Sequence, residues 1–186
     1  MTLTVTFELS ENDLEHFRHV MHKVRESSVD GNNDKIIAEA LELINLVRKS
    51  NASEFIRTRI NKLETLIAML LDTGWDLKGE DRSRVVRALS YFAEPEDLIP
   101  DHIPGLGFLD DAIMIELVTQ ELEHEISAYR DFLVFRAAEV SRRGADADSL
   151  SRADWLEERR KQLHSRMRRR RRSDGGKSSK GAFSLF

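Results

Sequence analysis

The chain has 186 residues, 33% of them charged and 40% hydrophobic, with a formal net charge of −4 and no cysteine. That length suits one domain with one sizeable core. The missing cysteine excludes a disulfide framework, and the longest apolar run, Leu66 to Leu71, falls far short of the roughly 20 residues of a membrane span.

From the start, Thr2 to Leu9 alternate in polarity, placing Leu3, Val5, Phe7 and Leu9 on one face of an extended segment. A lone strand needs a partner, either a second copy across a homodimer axis or the helices that follow. The same stretch has neither a basic flank nor an apolar signal core, so no secretory signal is readable and a cytoplasmic protein is expected.

Ser10 before Glu11-Asn12-Asp13 is a capping signature and opens a first helix carrying Leu14, Phe17, Met21 and Val24. A second helix is predicted over 34–49, with Ile36, Ile37, Ala40, Leu41, Ile44 and Val47 inward. A third follows Ser53, with Ile56, Ile60, Leu63, Ile67 and Leu70 in heptad-like register before Gly74. A fourth, over 80–92, carries Val85, Val86, Leu89 and Phe92.

A fifth helical stripe, from Ile115 through Leu122, Ile126, Tyr129 and Leu133 to Val140, runs from about Phe108 to Gly144. A helix of that length is roughly 50 Å long, so it either kinks or projects, and a projecting one offers a dimer surface. Ser151 to Asp154 cap a last helix that ends in five consecutive arginines, and the Gly/Ser/Lys composition beyond Ser173 is that of a flexible linker. The expected fold is all-α: a domain of five to six helices over 1–150 with a short extended N-terminal segment, a basic helix over 151–172 and a disordered tail over 173–186.

All three prolines, Pro95, Pro100 and Pro104, fall between the fourth and fifth helices beside Gly105 and Gly107. Proline fixes φ and glycine permits positive φ, so this connection is predicted to be rigid. Its apolar residues Leu98, Ile99, Ile103, Leu106 and Phe108 turn it back onto the helices, and Asp110 and Asp111 suit the start of the next one. The segment Tyr91 to Asp111, with Pro95, Asp97, Pro100, Asp101, Pro104, Gly107, Asp110 and Asp111 in place, resembles the signature of the YkvA-like domain of unknown function. The resemblance covers about residues 80–125 and implies a helical hairpin with a rigid loop, without an agreed activity. Glu116, Glu121, Glu123 and Glu125 mark the helix after the loop as solvated.

No Lys or Arg occurs between Arg87 and Arg130, while ten acids do. Asp97, Asp101, Asp110 and Asp111 could converge on Mg²⁺ or Ca²⁺, which want several oxygen ligands. The reading preferred here is that they cap the turns and the helix start, with no cofactor. His16, His19 and His22 fall off the apolar stripe of the first helix and face water. Glu121-x-x-His124 lacks the second pair that a di-iron site needs. No nucleophile motif or phosphate loop is present, so no catalytic residue is assigned and a non-enzymatic role is expected.

Charge is distributed unevenly. Residues 159–180 hold eleven Lys or Arg against one acid, a net of +10, and residues 1–158 hold 18 bases against 32 acids, a net of −14. Arg159, Arg160, Lys161, Arg166, Arg168, Arg169, Arg170, Arg171 and Arg172 form a stretch able to neutralise phosphates, which makes nucleic acid the natural partner. An anionic membrane would serve the same charges, with Trp155, Leu156, Leu163 and Met167 as the apolar face of an interfacial helix. The acidic body of the chain itself is the third candidate. The ending Phe183-Ser184-Leu185-Phe186 resembles the short peptide by which bacterial proteins dock on the DNA polymerase sliding clamp, with Ala182 where glutamine is usual. That resemblance implies a protein partner at Phe183, Leu185 and Phe186.

Overall fold

A computed structural model describes residues 8–27, 33–93, 99, 107–143 and 154–181, and among these the chain is all-α. Seven helices occur among the described residues: α1 (Glu11–Ser27), α2 (Asn33–Lys49), α3 (Glu54–Leu71), α4 (Gly79–Leu89), α5 (Leu109–Glu121), α6 (Glu123–Arg143) and α7 (Asp154–Gly181). A 3₁₀ turn, Ser90–Ala93, follows α4. The chain divides into two compact units, one of Met1–Glu64 with Ser83–Val118 and one of Thr65–Arg82 with Thr119–Phe186.

In the first unit the predicted caps form. Ser10 N–H and Oγ both donate to Asp13 Oδ2, at 2.8 and 2.7 Å, and Asp13 N–H donates back to Ser10 Oγ. These bonds satisfy amides that the first turn of α1 leaves without helical partners. Ser53 caps α3, its Oγ accepting from Ile56 N–H and its carbonyl from Arg57 N–H. The core is built from α2, the first half of α3, α4 with its 3₁₀ turn, and α5; α1 contributes Met21. Leu41, expected inward, is 40% exposed, and Leu43 takes its place in the core. The four-residue step from Leu43 to Val47 keeps to the helical stripe, whereas Leu41 lies about 100° off Ala40 on its outer side.

The predicted fifth helix is two helices, interrupted at Leu122. No glycine or proline marks the break. Leu122 is fully buried and its carbonyl accepts Ile126 N–H at 2.9 Å, so the stripe stays apolar across the interruption. Of the four glutamates read as solvated, Glu123 is exposed, Glu116 and Glu121 are half-buried, and Glu125 is fully buried.

The second unit is organised by the connection after α3. That helix ends at Leu71, and the Asp72 carboxylate accepts Gly74 N–H at 2.9 Å and Trp75 N–H at 3.1 Å, closing a turn. The same carboxylate accepts Tyr129 O–H at 3.0 Å and two N–H groups of Arg136, each at 2.8 Å. A Cβ at Gly74 would stand 2.9 Å from Arg136 Nη1, so any other residue there would make the guanidinium shift. Burial pushes the Asp72 pKa up, but Arg136 and the amide and phenol donors outweigh it and hold the group below the usual carboxylate range. Trp75, fully buried, packs among Tyr129, Phe132 and His164.

Helix α7 packs along α6 with Leu156, Leu163 and Met167 at 2% exposure or less. Its helical backbone continues to Gly181, past the linker composition that suggested disorder from Ser173. Extending a formed helix adds a bond per residue without the cost of a new nucleus, which offsets the poor propensity of Gly175 and Gly176. Residues 2–7 of the extended segment expected over Thr2 to Leu9, the proline segment 94–98 and 100–106, and the C-terminal 182–186 lie outside the described residues.

Candidate functional site

Two places collect the residues that the sequence singled out, one in each unit. In the first unit the signature closes on Asp110, 1% exposed at the start of α5. Its Oδ2 accepts Ile99 N–H at 2.9 Å and faces Tyr91 O–H at 3.5 Å. The aspartate therefore ties Ile99 to the start of α5 through a backbone bond, whereas among the described residues no amide of α5's first turn is seen to bond its carboxylate. Its other oxygen, Oδ1, is buried with no hydrogen-bond partner among the described residues. Asp111 is 5% exposed. Phe108 enters α5 at φ 65 with its ring buried, a backbone conformation costly for a bulky residue. Gly107 is buried beside it, while Pro95, Asp97, Pro100, Asp101 and Pro104 lie outside the described residues. Among the described residues no group of three or more acidic or histidine side chains is placed to hold a metal.

In the second unit the arginine stretch is split by helical phase. Successive residues turn by 100°, so a run of five cannot share one face. Arg171 Nη1 donates to Glu125 Oε1 at 2.7 Å and its Nη2 to Asp81 Oδ1 at 3.0 Å, while Arg168 Nη1 donates to Asp81 Oδ2 at 2.8 Å. Asp81 is 5% exposed and Glu125 fully buried, so this is a four-charge network of zero net charge inside the unit. Charge-assisted, partly forked bonds of this kind hold only when the acids stay ionised and the geometry is good. Arg160 reaches the Gly74 carbonyl at 3.3 Å, Arg166 pairs with Asp131 at 3.5 Å, and Lys161 pairs with Glu157 at 2.5 Å. Arg159 lies 5.4 Å over the Phe135 ring.

What remains turned to solvent is Arg169, Arg170 and Arg172, which make no ion pair among the described residues. The apolar residues once assigned to an interfacial helix are not available for one, since Leu156, Leu163 and Met167 are core. Beside the network, His164 packs edge-on against Trp75 with ring centroids 4.2 Å apart. Burial, then the neighbouring Arg168 and Arg160, drive its pKa down to about 4, against the opposing pull of Asp81 and Asp76. His124, on α6, is 23% exposed and bonds Asp174 Oδ2 through Nε2 at 2.9 Å. Sequence reasoning missed Asp81 and Glu125 as partners of the basic stretch, and Asp174 as the partner of His124. The signal was present: Met167, Arg171 and Asp174 continue the Leu163 stripe at steps of four and three.

No helix among the described residues is long and apolar enough to cross a membrane. No solved structure matches the chain. A Bacillus subtilis (strain 168) protein described as an uncharacterized membrane protein, YkvA, is 37% identical over 76 residues, which cover 38% of this chain and 70% of the relative. The family model described as a protein of unknown function, DUF1232, matches residues 82–117, the stretch that holds Tyr91, Asp110 and Asp111. With the signature's residues where that match falls, and with a relative of this identity covered over most of its length, the chain belongs to the YkvA-like DUF1232 family.

Proposed function

We propose that the chain is a non-enzymatic helical adaptor that binds the phosphate backbone of nucleic acid through the solvent-facing arginines of α7. The observation that carries this reading is the division of the arginine run. Arg168 and Arg171 are spent on holding α7 against buried acids, and Arg169, Arg170 and Arg172 are thereby displayed on a rigid helix. A charge fixed on a folded surface loses less freedom on meeting a phosphate than one on a loose tail. Such contacts release counterions and do not read sequence. Three phosphates neutralised at about 0.9 each give a log–log salt slope of roughly −2.7. Duplex DNA binding followed by fluorescence anisotropy tests the reading, with R169E/R170E/R172E expected to lose most of the affinity. Equal affinity of that variant and the native chain would sink it.

One observation favours a second reading, an anionic membrane surface: the relative's description as a membrane protein. Binding would then be electrostatic alone, because the apolar stripe of α7 is occupied. Sedimentation with phosphatidylserine vesicles, compared with DNA binding at the same salt, separates the two.

A further inference from the structure

Ser173 follows the arginine run directly and is exposed on α7. Residues three and four apart on a helix are neighbours, which sets Ser173 beside Arg170 and Arg169, two of the solvent-facing arginines, with Arg172 next to it in the chain. It is the one serine or threonine of the chain with arginine at both of those preceding positions; Ser28 and Ser90 have it at the third alone. Ser90 is buried, whereas Ser173 stands open. The last buried apolar side chain on α7 among the described residues is Met167, and two poor helix formers, Gly175 and Gly176, come shortly after Ser173. Opening the helix from Arg172 onward therefore uncovers no core side chain among the described residues, and the Arg171 anchor stays in place.

We propose that Ser173 is a phosphorylation site, the acceptor of a serine kinase that selects arginine three residues upstream, and that its phosphate closes the arginine face to nucleic acid. The second clause rests on the nucleic-acid reading above and adds its regulation. In the transfer, Ser173 Oγ bonds the γ-phosphorus of a nucleoside triphosphate and the bond from that phosphorus to the bridging oxygen breaks. The nucleoside diphosphate leaves, and the hydroxyl proton passes to a base of the kinase. Kinases of this selectivity present carboxylates to substrate guanidinium groups, and Arg169 and Arg170 make no ion pair among the described residues that would withhold them. Once attached, a group of roughly −1.5 to −2 charges with three acceptor oxygens lies one turn from both arginines. The three positive charges of Arg169, Arg170 and Arg172 are then largely offset.

The full chain, given magnesium ATP and a purified serine kinase of Arg-x-x-Ser selectivity, is expected to take up one phosphate, which fragment mass spectrometry places on Ser173. Ser173→Ala should lose that phosphate, and Arg170→Gln should slow its uptake about 10-fold through the lost charge-assisted bond. A peptide of residues 166–176 is the control for the kinase. Uptake by the peptide without uptake by the chain, or a phosphate found elsewhere in the chain and not on Ser173, would overturn the site. On the phosphorylated chain, ³¹P NMR should show the phosphate titrating below its usual second pKa of about 6, and Arg169→Gln should move it back toward that value. A titration unmoved by the arginines would refute the contact. Phosphorylation should also lower duplex DNA affinity about 10-fold at roughly 100 mM salt and flatten the log–log slope from roughly −2.7 to about −0.9. Unchanged DNA binding after phosphorylation, with R169E/R170E/R172E inactive, would overturn the regulation alone. If that triple variant binds like the native chain, the nucleic-acid reading has failed, and the Ser173 site is decided by mass and ³¹P titration. Far-UV CD of each variant checks that α7 is retained.

Discussion

Replacing Arg171 by methionine tests the network that holds α7. The substitution keeps much of the side chain's bulk and removes the guanidinium between Glu125 and Asp81. Asp81 keeps Arg168 at 2.8 Å, and Glu125, with a side chain at 0% exposure, loses the guanidinium bonded to its Oε1. Stripping one partner from a buried pair costs about 3–5 kcal/mol. For a chain of this size each kcal/mol lowers Tm by about 2–4 °C, so a fall of roughly 6–20 °C is expected in a thermal melt followed by far-UV CD. Arg169→Met, on the solvent side of the same helix, should stay within about 0.5 kcal/mol of the native chain. The double variant R171M/E125L should recover most of the loss, because an apolar pair replaces a charged one. A buried network is weakly screened, so the loss should persist from about 0.15 M to 1 M salt. Equal melting of R171M and R169M would refute the network.

His164 predicts a pH effect. With its folded pKa near 4 and an unfolded value of about 6.5, the unfolded chain binds more protons between those limits. Stability is therefore full above about pH 6.5 and declines as pH falls toward 4, and His164→Leu should flatten that part of the urea-midpoint curve. An unchanged slope in the variant would contradict it. Asp110→Ala should destabilise by about 1–3 kcal/mol in urea unfolding by leaving Ile99 N–H without its acceptor, while Asp111→Asn keeps side-chain volume and should cost less. A loss confined to Asp111→Asn would overturn the role given to Asp110.

Local chemistry explains which features were readable. Ser10 and Ser53 act within a few residues, and each begins a helix close to where its type implies. The family signature was equally legible, being contiguous. The interruption at Leu122 was not, because no glycine, proline or capping residue marks it. Glu125 was read as solvated because a lone glutamate carries no sign of a guanidinium arriving from 46 residues away. The basic stretch was read by composition, which counts charge but discards phase. At helical spacing the same five arginines serve two opposed purposes.

The burial of Leu156, Leu163 and Met167 also decides where the chain can be shortened. Each such side chain contributes about 1.5–3 kcal/mol when fully buried, so the three together weigh as much as the whole stability of a typical domain. A protein ending at Glu158 would forfeit two of them and leave Asp81 and Glu125 without their arginines. Such a truncate would report on collapse of the second unit rather than on the ligand its C-terminal helix meets, and point changes at Arg169, Arg170 and Arg172 are the alterations that leave the scaffold standing.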